Sequence, residues 1–136
     1  AGTGPDRDVL EKLIAQLGLA DRVELLGWID DAQAVDLYSN ALAVYYAPFD
    51  EDYGYVTVEA CRSAKPVITT SDSGGVLEFV DDGVSGFVCP PDSPNAIAAR
   101  LDALYRDREL ARRLGAAAFE RARDVSWDDV VAKLLG

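Results

Sequence analysis

Two glutamates, Glu51 and Glu59, stand eight residues apart in a segment where a loop is predicted to turn into a helix. Gly54 lies at the turn, and a glycine lets a ligand approach the backbone closely. A helix start carries unpaired N–H groups and a partial positive charge, which together can hold a phosphate. Glu59 falls about one turn into the helix while Glu51 stays on the loop, so both carboxylates can face the same binding cleft. This pattern fits a ligand that combines hydroxyls with phosphate, such as a nucleotide-sugar.

The same segment resembles a known family signature. Glu51-Asp52-Tyr53-Gly54 and Glu59-Ala60 look like the Glu-x7-Glu motif of the retaining glycosyltransferases of family 4, which have the GT-B fold. Residues 21–28, 66–70, 73–78 and 83–88 match further parts of the family pattern in the same order. The resemblance covers essentially the whole chain, and several spaced matches are more specific than any one motif.

The resemblance implies a role for the motif residues. Glu51 would be the catalytic residue and would hold a hydroxyl of the donor sugar. Glu59 would hold the ribose hydroxyls, and N–H groups at the helix start would face the distal phosphate. Backbone atoms of the turn at Gly27–Ile29 would read the nucleobase. The implied donor-binding residues are Asp52, Tyr53, Gly54, Tyr55, Val56, Glu59, Gly27 and Trp28.

Composition narrows the possible chemistry. The 136 residues suit a single domain, and their formal net charge of −11 disfavours nucleic-acid binding because the phosphate backbone would be repelled. The sequence contains no histidine, which excludes a Ser–His or Cys–His nucleophilic site within it. No apolar run approaches the ~20 residues of a membrane span. We therefore expect no nucleic-acid partner and no membrane span.

Two cysteines, Cys61 and Cys89, are too few and too far apart for a zinc site. We interpret them as buried free thiols in a reducing cytoplasm, which is the predicted location. No cluster of acids indicates a metal, and the resemblance implies neither a metal nor a cofactor, with a nucleoside-diphosphate sugar as the donor substrate.

Apolar runs alternate with helical patterns along the chain, which predicts an α/β fold with a Rossmann-like parallel sheet and helices on both faces. The predicted strands are 23–26, 42–47, 67–70 and 86–89, of which Leu42–Ala47 reads as buried on both faces, with Tyr45 and Tyr46 in the core. The first predicted helix carries one apolar stripe. In the second predicted helix, Val35, Leu37 and Tyr38 are predicted to face inward. Ligands bind beyond the carboxyl ends of such strands.

By resemblance, residues 1–136 form a partial nucleotide-sugar domain, the C-terminal half of a GT-B fold without its opening strand. That strand and the helix after it would carry an Arg and a Lys for the diphosphate, and a separate domain would bind the acceptor. We expect that a further segment completes the sheet between Val23–Leu26 and Leu42–Ala47, and that the chain alone is inactive.

Two other readings remain open. The chain could be a non-catalytic α/β module that binds nucleotides or acts as a scaffold, or a sugar-nucleotide epimerase of the same fold. Nucleotide titration separates a binding module from a scaffold, and a transfer assay separates an enzyme of the hexosyltransferase type from a module.

Overall fold

The computed structural model describes residues 1–126, 131–132 and 135. The chain divides into two compact units, Ala1–Leu37 and Tyr38–Gly136. The predicted last helix, Asp128–Leu135, and the predicted packing of Trp127 fall mostly on residues outside the described ones.

The first unit contains helix α1, Arg7–Gln16, and the start of helix α2, Asp31–Asn40. The start of α2 is fixed by a reciprocal cap: the Gln33 N–H donates to Asp30 Oδ1 at 2.8 Å, and the Asp30 N–H donates to Gln33 Oε1 at 3.0 Å. Such a box satisfies two helix-end donors at once. Asp30 is therefore the cap of this helix.

Two predictions for the first unit are wrong. Residues Val23–Leu26 are not a strand, because a strand exists only where a neighbour completes its hydrogen-bond ladder, and the sheet of the described residues contains three later strands only. In α2, Val35 is 68% exposed and Leu37 42% exposed, so neither faces inward. The apolar pattern is present, but nothing in this unit covers it.

The second unit is built on a three-stranded parallel sheet in the order β1, β2, β3. The strands are β1, Val44–Tyr45, β2, Val67–Thr70, and β3, Gly86–Cys89. Between them lie α3, Tyr55–Arg62, and a 3₁₀ helix, Gly74–Glu78; α4, Pro94–Arg106, and α5, Arg108–Ala122, follow. β2 and β3 have the predicted bounds.

Neighbouring residues of β2 serve opposite faces of the sheet, because side chains alternate along a strand. Val67 belongs to an apolar cluster with residues of α3, the 3₁₀ helix and the end of α5. Ile68 belongs to a second cluster with residues of α4 and the start of α5. The predicted fold class, a Rossmann-like parallel sheet with helices on both faces, is confirmed.

Close packing around α5 depends on one glycine. A Cβ on Gly115 would overlap the carbonyl oxygen of Ala64, the residue that links α3 to β2. Both cysteines are buried and unpaired, as predicted. Burial raises the pKa of the Cys61 thiol to about 11, so at neutral pH it is an inert part of the core.

The predicted strand Leu42–Ala47 is corrected to a two-residue ladder, Val44–Tyr45, at the edge of the sheet. Tyr45 is 53% exposed and is not a core residue, and Tyr46 is only half-buried. The run is apolar enough for a central strand, but among the described residues only β2 pairs with it.

Candidate functional site

Gly54 forms the junction between the motif loop and α3. It adopts the left-handed conformation, with φ 72° and ψ 65°, and directly precedes Tyr55, the first residue of the helix. A Cβ at this position would lie 2.7 Å from Val76 Cγ2 and 3.4 Å from Tyr46 Cε1. Both the backbone angle and the surrounding atoms therefore require glycine.

Glu51 lies on the loop before this turn and is half-buried. Its Oε2 accepts a hydrogen bond of 3.1 Å from the hydroxyl of Tyr46, which follows β1. Burial, and then the hydrogen bond to Glu51, raise the pKa of Tyr46. The phenol therefore stays protonated at neutral pH and remains a donor to the carboxylate.

Glu59 lies on the exposed side of α3, in its second turn. Its Oε2 accepts a hydrogen bond of 2.9 Å from the hydroxyl of Tyr38. Burial, and then the hydrogen bond to Glu59, raise the pKa of Tyr38 as well. Each motif carboxylate is thus paired with one tyrosine, a pairing that the sequence pattern does not predict.

The loop that carries Glu51 is held by the turn after β2. Gly75 N–H donates to the Glu51 carbonyl at 2.7 Å, and Asp50 N–H donates to the Asp72 carbonyl at 2.9 Å. A Cβ on Gly74 would lie 2.5 Å from the Glu51 carbonyl oxygen. A Cβ on Gly75 would overlap the Asp52 carbonyl oxygen. The glycine pair therefore seats the motif loop in addition to forming a turn.

The first turn of α3 holds polar groups that have no partner among the residues the structure describes. The N–H groups of Tyr55 and Val56 have no backbone acceptor among the described residues, and the Thr57 N–H donates to the Gly54 carbonyl at 2.8 Å. Thr57 Oγ1 is buried and has no hydrogen-bond partner among the described atoms. A buried hydroxyl left unpaired is uncommon and suggests a missing partner.

Aromatic rings flank the turn. The Tyr53 ring lies 5.2 Å from the Tyr55 ring and 5.4 Å from the Phe79 ring, measured between centroids. Tyr55 is 63% exposed, whereas Phe79 is buried. Tyr53 therefore anchors the loop to the core, and Asp52 beside it stays exposed.

The structure brings the predicted residues 51–59 together within the second unit. Gly27 and Trp28 belong to the first unit, where Gly27 has φ 71° and Trp28 is 76% exposed. The base-reading role of this turn stays a prediction.

An open cavity of about 610 Å³ lies at the carboxyl ends of the three strands, where the fold predicts ligand binding. Its wall includes Pro48 and Phe49, which lead directly into the motif loop, and Thr70 and Asp72 after β2. Among residues 1–126, 131–132 and 135, no group of three or more His, Cys, Asp or Glu is placed to hold a metal. None of the helices described is long and apolar enough to cross a bilayer.

Comparison with known proteins identifies the family. Residues 1–121 match the family model described as glycosyl transferases group 1, and the chain belongs to that family. This confirms the predicted glycosyltransferase family. A D-inositol 3-phosphate glycosyltransferase of Streptomyces griseus is 34% identical over 119 residues, which are 88% of this chain and 25% of that protein.

Solved structures agree with the fold. Sucrose-phosphate synthase of Thermosynechococcus elongatus superposes with a TM-score of 0.88 and 28% identity, covering 98% of this chain and 35% of that one. Anabaena Alr3699/HepE in complex with UDP and glucose gives a TM-score of 0.82 and 28% identity, covering 96% of this chain and 37% of that one. The chain therefore spans about a quarter to a third of the length of these proteins.

Proposed function

We propose that residues 1–136 are the donor-binding part of a retaining glycosyltransferase, which moves a hexose from a nucleoside diphosphate to an acceptor. The observation that carries this proposal is the start of α3. There a left-handed Gly54 opens the helix between two carboxylates, each oriented by a tyrosine hydroxyl. The complex of Anabaena Alr3699/HepE with UDP and glucose supports a donor of the same kind.

In this proposal the distal phosphate lies against the first turn of α3. The N–H groups of Tyr55 and Val56 are available to it, and the positive end of the helix favours an anion. The Thr57 hydroxyl, which has no hydrogen-bond partner among the described atoms, adds a further polar group to this turn. No metal or cofactor is needed for this contact.

In this proposal the two carboxylates bind different hydroxyls of the donor. Glu51 accepts a hydrogen bond from the sugar, beside the backbone of Asp52, Tyr53 and Gly54, and Glu59 accepts hydrogen bonds from the ribose. The backbone at Gly27–Ile29 reads the base. Transfer then depends mainly on stabilising the negative charge of the leaving diphosphate, through helix-start amides and cations. The resemblance implies an Arg and a Lys as those cations.

Nucleotide binding tests the proposal. The protein as its gene encodes it is titrated by calorimetry with UDP, GDP, ADP and their glucose conjugates. Glu59→Gln should weaken binding of the preferred nucleotide by about 1–3 kcal/mol, because an amide is a poorer acceptor for two hydroxyls. Glu120→Gln, an exposed change on α5 that alters net charge equally, serves as the control. Unchanged affinity on Glu59→Gln would show that the ribose assignment is wrong.

The isolated chain should bind donor weakly and transfer no sugar, because its net charge of −11 opposes a diphosphate. Calorimetry at low salt measures the binding, and release of nucleoside diphosphate measures transfer. Sub-micromolar binding of any nucleotide-sugar by residues 1–136 would contradict this expectation. The anomeric configuration of the product of the whole protein, read by NMR, tests retention.

A further inference from the structure

The two motif carboxylates are held in the same way by side chains outside the motif. In each glutamate one oxygen, Oε2, accepts a phenol hydrogen bond, from Tyr46 in one case and Tyr38 in the other. The other oxygen, Oε1, has no hydrogen bond or ion pair with any described residue. A carboxylate has about four lone-pair positions, so each glutamate keeps acceptor capacity for ligand hydroxyls.

We infer that Tyr46 and Tyr38 are positioning residues for the donor: Tyr46 orients Glu51 toward the sugar, and Tyr38 orients Glu59 toward the ribose. The inference rests on the proposed function, because it takes the ligands of the two glutamates from there. A glutamate side chain loses considerable rotamer freedom when it is ordered. A phenol that fixes the carboxylate before the ligand arrives removes part of that loss from binding.

Both phenols are suited to remain donors. Burial raises the pKa of each hydroxyl, and the neighbouring carboxylate raises it further. A phenol that stays protonated can only donate to an ionised carboxylate, so the direction of the hydrogen bond is fixed at neutral pH.

Both tyrosines are themselves anchored by the second unit. The Tyr46 N–H donates to the Ile68 carbonyl of β2 at 3.0 Å, and its ring edge lies beside the Gly54 turn. Lys65 Nζ donates to the carbonyl of Ser39 at 2.9 Å, which ties the residue after Tyr38 to the link between α3 and β2. Lys65 therefore secures the end of α2.

The experiment compares a diphosphate with one ligand that lacks the ribose hydroxyls and with one that carries the sugar. Tyr38→Phe, Tyr46→Phe and the control Tyr105→Phe are made in the protein as its gene encodes it. Tyr105 is 67% exposed on α4 and has no carboxylate partner among the described residues. Each protein is titrated with a nucleoside diphosphate, its 2′,3′-dideoxy analogue and its glucose conjugate. The nucleotide is the one that the unmodified protein prefers, UDP being tried first.

Tyr38→Phe should weaken binding of the diphosphate by roughly 5- to 20-fold and leave binding of the dideoxy analogue unchanged, because only the diphosphate presents ribose hydroxyls to Glu59. Tyr46→Phe should weaken binding of the glucose conjugate by a similar factor and leave binding of the diphosphate unchanged. Tyr105→Phe should change nothing. A merely structural role of the tyrosines would weaken all three ligands equally, and that result, or no loss at all, would overturn the inference.

The variants Glu51→Gln and Glu59→Gln, titrated in the same experiment, distinguish a failure of the positioning role from a failure of the proposed function. If the glutamate variants lose affinity selectively while both tyrosine variants keep it, the positioning role is wrong and the proposed function stands. If neither glutamate variant affects any ligand, the proposed site itself is wrong, and the tyrosine inference fails with it.

Discussion

The two units use similar apolar patterns with opposite results. Residues 38–126 bury a core of fifteen hydrophobic side chains on the two faces of a sheet. Residues 1–37 bury none, and the apolar stripe of α1 and its C-cap residue, formed by Val9, Leu10, Leu13 and Leu17, is 44–63% exposed. Helical periodicity thus identifies which face can be buried, whereas burial itself requires another element to pack against it.

The space around the glycines also differs between the two units. Around Gly54, Gly74, Gly75 and Gly115 an added Cβ would meet other atoms at less than normal contact distance. Around Gly2, Gly4 and Gly18 it would meet nothing within 4 Å. These four glycines of the second unit mark places where two segments touch, whereas Gly83 of the same unit, like Gly2, Gly4 and Gly18, has open space around it.

The largest expected difference between the units comes from truncating a leucine. Leu104 on α4 is fully buried, so Leu104→Ala should lower the free energy of unfolding by about 2–5 kcal/mol. Leu10 on α1 is 44% exposed, and Leu10→Ala should cost less than about 1 kcal/mol. Denaturant unfolding of both variants measures the difference. Equal losses would mean that α1 is covered in solution and that the contrast between the units is wrong.

A smaller difference is expected from glycine-to-alanine changes. In a helix interior alanine is favoured over glycine by about 1 kcal/mol, but Gly115→Ala would press a Cβ onto the carbonyl of Ala64. We expect a net loss of about 1–3 kcal/mol, because backbone cannot give way as a flexible side chain can. The matched change Gly4→Ala has open space and should stay within about 0.5 kcal/mol. A stabilised Gly115→Ala variant would show that α5 can move away from Ala64.

The sequence was informative where local pattern and tertiary context agree. β2 and β3 are short apolar runs flanked by Pro66, Gly86 and turn residues, and their bounds were predicted correctly. Val23–Leu26 looked similar, but whether an extended run becomes a strand depends on a partner that no local pattern reveals. For the same reason, the observed strand β1 is shorter than the predicted strand Leu42–Ala47.

The candidate site shows the same limit. The spacing of Glu51 and Glu59 around Gly54 is local, so the loop, the turn and the helix start could be predicted. The phenol partner of Glu59 could not, because Tyr38 lies 21 residues away along the chain and meets Glu59 only through the fold. The crowding of Gly75 by the Asp52 backbone is equally non-local. Hydroxyl groups on tyrosines near a predicted site are a usable signal, since a half-buried phenol needs a hydrogen-bond partner.

The smallest expected effect concerns Trp28, the largest side chain of the first unit. It is 76% exposed, so Trp28→Ala should change the free energy of unfolding by less than about 0.5 kcal/mol. If the backbone of this turn reads the nucleobase, the same variant should also keep the preference among UDP, GDP and ADP. Gly27→Ala is the informative partner, because Gly27 has φ 71° and a side chain there costs about 1–2 kcal/mol of backbone strain.

Gly27→Ala should therefore alter the turn and weaken or blur the base preference, while Trp28→Ala should not. Denaturant unfolding and competition titrations with the three nucleotides measure both quantities on both variants. A Trp28→Ala variant that loses more than about 1 kcal/mol of stability would show that the indole is packed in solution, in conflict with the open first unit. A changed base preference with unchanged stability would instead assign base reading to the indole, and the proposed role of the backbone at Gly27–Ile29 would have to be given up.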